Sequence, residues 1–265
     1  MTAKLPTRMV EKPWGKTSLA SRFGDTAGRR IGEVWFEPPV QLPQLLVKYI
    51  FTSEKLSVQV HPSDDQLPGH GKEECWLVIG AEPGASLGIG FREPLSVEAM
   101  RAAALDGSIE RLLDWYPVAP GDFFYIPAGT VHAIGAGVSL IEVQQTSDVT
   151  YRLYDYGRPR ELHLDEGLAV AVGTPHAASH RRRVAGPGPQ ILVDGPKFRL
   201  DRISAGDIVL AIDRYASAPF LVIPLDVPIS IGVETISPGE CGLAHSLSAI
   251  GFASRGNCLI AQPCM

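Results

Sequence analysis

Short apolar runs broken by glycine and proline set the pattern of this chain: LLVKYI at 45–50, ECWLVIG at 74–80 and FFYIP at 123–127. Runs of this length, rich in β-branched and aromatic residues, read as strands, and turn residues scattered evenly between them predict a mainly β fold. Alternation is clearest in LSVQV at 56–60. There Leu56, Val58 and Val60 share one face of a strand, while Ser57, Gln59 and His61 share the other. A polar face on an interior strand needs a reason to exist. Two segments break the β pattern. A helical stretch is expected over 96–115, with Ser96 and then Ser108 as N-caps, and a shorter one over about 164–172.

TPHAASHRRRVAGPGPQ at 174–190 offers little apolar surface to bury and reads as a linker. It separates an N-terminal domain, 1–173, from a C-terminal β domain, 191–265. PGECGLAHSLSAI at 238–250 echoes PGDFFYIPAGTVHAI at 120–134, a weak internal repeat. Aligning the two Pro-Gly pairs sets His132 opposite Ile250, and the Gln59-x-His61 pair has no counterpart. The C-terminal domain is therefore expected to be a degenerate copy without a metal site.

With 24 basic and 29 acidic residues the formal charge is −5, which gives no electrostatic reason to bind nucleic acid or an anionic membrane. No apolar run approaches the roughly 18–20 residues of a membrane-spanning helix. Cys75, Cys241, Cys258 and Cys264 show no CxxC spacing, and the N-terminal MTAKLPTRMVEKPWG lacks an apolar signal core. The expectation is a soluble, cytoplasmic protein, with monomer and homodimer both open.

From Gly121 to His132 the chain reads glycine, five residues, proline, one residue, glycine, two residues, histidine. Pro120-Gly121 suits a tight turn and Pro127-Ala128-Gly129 a bend that returns His132 to a barrel interior. This spacing resembles the second motif of the cupin superfamily, whose fold is a jelly-roll β-barrel. The expected architecture is thus two cupin-type barrels with a few short helices inserted. The first cupin motif supplies two ligands one residue apart and a later glutamate. Gln59, His61 and one of Glu73 and Glu74 fit those parts, and only one of two adjacent strand residues can point inward. Two imidazoles, a carboxylate and an amide oxygen suit zinc, with manganese, iron or cobalt as alternatives. Taken singly, each of these residues is an ordinary hydrogen-bonded polar group. His70, His163, His176, His180 and His245 are read as surface or packing residues.

QVHPSDDQ, GKEECW, PAGTVHAI and TYRLYDYGR together resemble the type I mannose-6-phosphate isomerases in their short bacterial form, and EKPWG, IGEVW and LLVKYIFTSEKLSVQVHP follow that family in order. The resemblance implies a zinc-dependent interconversion of mannose 6-phosphate and fructose 6-phosphate through an enediol. It implies Gln59, His61, Glu74 and His132 as metal ligands, selecting Glu74 over Glu73. It places Arg152 at the catalytic position, where a guanidinium stabilises charge on an enediolate oxygen. Lys48, Ser57, Lys72 and Arg158 are candidates for the phosphate, with Trp14 and Glu33 lining the pocket. Asp155 is read as orienting a neighbouring arginine or tyrosine, or else as the proton-shuttling base. Larger members of the family carry a sizeable helical domain for which only 96–115 could stand in. A wider pocket keeps an isomerase of a non-phosphorylated aldose in play, beside a cupin of other chemistry and a non-catalytic sugar-binding cupin.

Overall fold

The computed structural model of the chain describes residues 3–186, 188–211, 213–215, 218–252 and 256–264. In the first half the strands are β1 (Thr7–Lys16), β2 (Ile31–Phe36), β3 (Leu45–Phe51), β4 (Val58–Val60), β5 (Glu74–Ala81), β6 (Ser86–Phe91), β7 (Leu113–Pro117), β8 (Asp122–Ile126), β9 (His132–Ile134), β10 (Val138–Gln145), β11 (Tyr151–Tyr154) and β12 (Arg181–Arg183). They form a seven-stranded sheet, β1-β2-β3-β10-β5-β8-β12, facing a five-stranded one, β11-β4-β9-β6-β7. The second half follows with β13 (Gln190–Asp194), β14 (Phe198–Ser204), β15 (Phe220–Pro224), β16 (Ile229–Ile231), β17 (Glu234–Ile236), β18 (Gly242–Ala244), β19 (Ile250–Phe252) and β20 (Asn257–Pro263). Its sheets run β13-β14-β20-β15-β18 and β17-β16-β19.

The two halves repeat one another. The order β3-β10-β5-β8 recurs as β14-β20-β15-β18, and β9-β6-β7 recurs as β19-β16-β17. The echo in the sequence therefore follows the strand order of a mainly β, two-barrel cupin fold. Among the described residues no strand of the second half takes the place of β4 or β11. Between β14 and β15 the chain instead runs through short helical turns at Ala205–Asp207, Ile208–Ala211 and Asp213–Tyr215.

Strand β3 is buried along its whole length because both of its faces are covered. Leu45, Val47, Tyr49 and Phe51 point away from the first barrel into a cluster completed by Phe198, Leu200, Leu221, Ile223 and Leu259 of the second half. Ile50 points the other way, into the interior of the first barrel, with Trp76, Val78, Leu140 and Phe124. The period of two thus divides the central strands between an inter-barrel core and a barrel lumen. Gly129, at φ +83°, makes the bend from β8 to β9, and its N–H donates to the His61 carbonyl at 2.8 Å.

Helix α1 (Val97–Asp106) starts at Ser96, whose hydroxyl accepts the Ala99 N–H at 3.2 Å, and stops at left-handed Gly107. A single turn, α2 (Ile109–Leu112), follows without a side-chain cap from Ser108. The helical span expected over 96–115 ends at Leu112, because Leu113 to Pro117 pair with β6 as a barrel strand and Leu113 is fully buried. Tertiary pairing overrides the local helical pattern there. Helix α3 (Leu164–Val170) lies within the second expected segment. The 174–190 stretch is not free of structure: β12 pairs with the edge of β8, Arg181 lies 4.2 Å over the Tyr116 ring and Arg183 meets Asp122 at 2.7 Å. An edge strand needs backbone partners more than apolar side chains, which is why an arginine run can occupy it.

All four tryptophans lie in the first half, so their fluorescence reports on it. Phe198, in the second half, is fully buried in the inter-barrel core. Phe198→Ala is expected to cost about 3–5 kcal/mol and to lower the urea midpoint read by tryptophan emission. An unchanged tryptophan transition would show that the halves unfold independently.

Candidate metal centre and cleft

Two rows of cross-strand neighbours face each other inside the first barrel. Across the large sheet, Trp35 is paired with Lys48, Lys48 with Glu142 and Glu142 with Trp76. Across the small sheet, Arg152 is paired with Gln59 and Gln59 with His132. Glu74, two residues before Trp76 on β5, adds its side chain to the same lumen.

His61, Glu74 and His132 are buried, and their ligand atoms lie within 4.8 Å of one another; among the described residues this is the one cluster of three such groups. His61 Nδ1 donates to the Val149 carbonyl at 2.8 Å and His132 Nδ1 to the Thr130 carbonyl at 2.9 Å. A carbonyl only accepts, so both protons sit on Nδ1 and both Nε2 atoms keep a lone pair. Those atoms lie 3.5 and 3.4 Å from the Glu74 carboxylate oxygens. Burial holds the His132 pKa down at about 4 and lowers that of His61 well below its usual value, with Lys72 adding to the effect. Both rings are neutral at physiological pH.

Both oxygens of the Glu74 carboxylate are buried; among the described residues Oε1 has no hydrogen-bond donor and Oε2 has only the Lys72 ammonium. Burial raises its pKa to about 7 against the opposing charge of Lys72, whose ammonium stands 2.8 Å from Oε2 and 3.0 Å from His61 Nε2. A buried carboxylate with one oxygen left unpaired, faced by two imidazole lone pairs, is a donor set that a divalent cation fits. Glu73 points out of the barrel to the Tyr125 hydroxyl, as the alternation of β5 requires. Gln59 lies against the cluster with its amide nitrogen 3.2 Å from His132 Nε2 and its oxygen accepting from the Ser57 hydroxyl at 3.0 Å.

Beside the cluster opens a cleft of about 150 Å³. Trp14, Glu33, Lys48, Ser57, Gln59, Lys72 and Arg152, all singled out in the sequence, line it. Lys48 is already engaged, donating to Glu142 at 3.0 Å and to Gln144, 4.7 Å over the Trp35 ring. Burial alone would raise the pKa of Glu142, but Lys48 and Lys72 hold it below the usual range. Glu33 accepts from Trp35 Nε1 at 2.6 Å and faces Lys12 at 3.4 Å.

Arg158, expected at a phosphate, is not among the residues lining the cleft. Tyr156 and Gly157 both have positive φ and turn the chain after β11. Arg158 then donates to the Lys55 carbonyl at 2.6 Å, and Arg160 returns to the cleft. Asp155 is buried and grips Arg160 through two bonds of 2.6 and 2.7 Å, with Arg158 at 3.0 Å. It orients arginines and does not line the cleft. Burial and the nearby charge of Arg160 lower the pKa of Arg152. Lys12, Trp35, Glu142, Asp148 and Arg160 are cleft residues that sequence reading missed. Glu142 had a signal, an acid inside the apolar run VSLIEV; Arg160 had none apart from lying near Arg152.

A search of family models returns no match. The mannose-6-phosphate isomerase of Streptococcus mutans serotype c is 37% identical over 279 residues, covering 87% of each chain. The chain belongs to the mannose-6-phosphate isomerase family. The crystal structure of the Bacillus subtilis mannose 6-phosphate isomerase superposes with a TM-score of 0.75 at 21% identity over 98% of each chain. A zinc-bound holo mannose 6-phosphate isomerase superposes at 0.71 with 13% identity over 99% of each. As a member of this family the chain is an isomerase.

One histidine read from the sequence as a surface or packing residue is buried with a partner. His176 Nε2 donates to the Tyr125 carbonyl at 2.7 Å, and burial lowers its pKa to about 4. Its folded-state pKa is depressed, so the unfolded chain protonates first. The associated stability is intact above about pH 6.5 and is lost as pH falls towards 4. His176→Gln, which retains a donor, is expected to flatten this acid limb by ~1–2 kcal/mol. Urea titrations at pH 7 and pH 4.5 measure it; an unchanged limb would place that proton uptake elsewhere.

Proposed function

We propose that the protein interconverts mannose 6-phosphate and fructose 6-phosphate, using one zinc ion held by His61, Glu74, His132 and Gln59. The observation that carries this reading is the buried Glu74 carboxylate, met only by Lys72 and with two unprotonated imidazole nitrogens beside it, next to Gln59 and Lys72 of a cleft edged by arginine. Gln59 would offer its oxygen after a half-turn of the amide, with Ser57 as its support. When bound, zinc supplies a Lewis acid that orients and polarises sugar oxygens.

The chain's own groups supply the rest. Moving a carbonyl between carbons 1 and 2 shifts a proton through an enediol and accumulates negative charge on oxygen. Arg152 has no carboxylate at ion-pair distance among the described residues, so its charge is available to that oxygen or to the substrate. Phosphate is supported by the local charge. Between 152 and 160 stand three guanidiniums, Arg152, Arg158 and Arg160, and the single carboxylate of Asp155, which Arg158 and Arg160 take up. Arg152 and Arg160 face the cleft and form an anion-receiving edge. Lys72 adds a third cation beside Glu74, and Trp14 packs the wall. We take 1–173 as the catalytic domain, 174–190 as a connection and 191–265 as a barrel without a metal site. Four free cysteines fit a cytoplasmic location.

A coupled assay of mannose 6-phosphate against free mannose, with and without chelator, tests the proposal. Turnover of the phosphorylated sugar, lost on chelation and restored by zinc, is expected. Equal turnover of free mannose, or indifference to chelator, would overturn it. His132→Ala is expected to lose bound metal while staying folded by circular dichroism. Arg152→Ala is expected to keep metal and to lower turnover by about 10²–10³-fold.

A further inference from the structure

The loop joining β4 to β5, residues 61–73, connects His61 to Glu74 and carries Lys72 into the cleft. The Asp64 carboxylate closes it. Oδ1 accepts the Gly71 N–H at 2.9 Å, one residue before Lys72, and Oδ2 accepts Gln145 Nε2 at 2.9 Å. Gln145 returns the bond to the loop, accepting the Glu73 N–H at 2.9 Å. The closure is tight: a Cβ at Gly71 would lie 2.5 Å from the Asp64 nitrogen and 2.6 Å from its Oδ1. The Lys72 N–H completes the loop by donating to the Pro62 carbonyl at 2.9 Å.

The cation that meets this carboxylate comes from the other half of the molecule. Lys197 Nζ stands 2.8 Å from Asp64 Oδ2. Its backbone is fixed, since its carbonyl accepts the Cys264 N–H at 2.9 Å and the next residue, Phe198, is fully buried in the inter-barrel core. Asp65 and Glu73 of the same loop also act on Lys197 electrostatically, so one ammonium faces three carboxylates of the loop. Removing it would leave like charges on a loop that must hold Lys72 and Glu74 in place.

We propose that Lys197, acting through Asp64, is a positioning residue by which the second barrel fixes the loop that delivers Lys72 and Glu74 to the metal centre. This rests on the reading of that centre given above. It assigns the second barrel a role in the reaction without any chemistry of its own. Lys197 and Asp64 are both partly exposed, so the pair contributes little to global stability. Its effect should fall on geometry at the site.

The test compares Lys197→Met, Asp64→Asn and Lys197→Arg by zinc Kd, through chelator competition, and by KM and kcat for mannose 6-phosphate. Lys4→Met serves as control, because Lys4 pairs with Glu240 away from the loop. Lys197→Met and Asp64→Asn are expected to weaken zinc binding and raise KM by about tenfold, with the thermal midpoint and kcat near wild type. Lys197→Arg should recover most of both. Wild-type Kd and KM in Lys197→Met, or equal changes in Lys4→Met, would overturn the proposal. Should mannose 6-phosphate fail as substrate for the wild type, the zinc Kd alone decides this inference.

Discussion

A carboxylate kept from water and met by a single ammonium is the constraint around which the first barrel is organised. Glu74 is 1% exposed and sits between two imidazoles whose protons point away from it, onto backbone carbonyls. Leaving such a group unpaired is costly enough that a protein ordinarily neutralises or pairs it. Lys72 meets one oxygen, and the remaining lone pairs converge on a point that suits a cation with nitrogen and oxygen ligands. The surrounding elements hold this arrangement: β4 and β9 bring Gln59 beside His132, and the bend at Gly129 ties β9's approach to the His61 carbonyl.

The barrel also shows why polar residues survive on strands that are buried on both sides. In β3, β5 and β10 one set of alternate residues packs against the second barrel, and the other set faces the lumen. Lys48, Glu74, Glu142 and Gln144 belong to the lumen set, and they satisfy one another in pairs or serve the cleft. Polar positions inside apolar runs are therefore the marks of the site. The second barrel keeps the same sheet order without β4 and β11 and has Ile250 where β9 has His132.

Much of this could be read from the sequence, and for identifiable reasons. The Gln59-x-His61 pair and the glycine-proline-glycine-histidine spacing depend on local geometry, strand alternation and one bend, which short stretches encode. The isomerase family was legible in the motifs, and a faint Pro-Gly echo pointed to an internal repeat that the strand orders of the two halves display. What escaped depended on non-local contacts. Leu113 to Pro117 left the helical pattern because β6 needed a partner, and the arginine run joined β8 because an edge strand was available. Arg158 and Arg160 exchanged places through positive φ at Tyr156, a residue type that gives no warning of it. Lys197 is far in sequence from the loop it meets.

The most direct measurement of the central claim is X-ray absorption at the zinc edge on the zinc-loaded protein, combined with anomalous scattering from its crystals. The account predicts one ion within about 2.0–2.2 Å of Nε2 of both His61 and His132 and of the Glu74 carboxylate, with only nitrogen and oxygen neighbours. A sulfur neighbour near 2.3 Å, or an anomalous peak away from these three side chains, would contradict it.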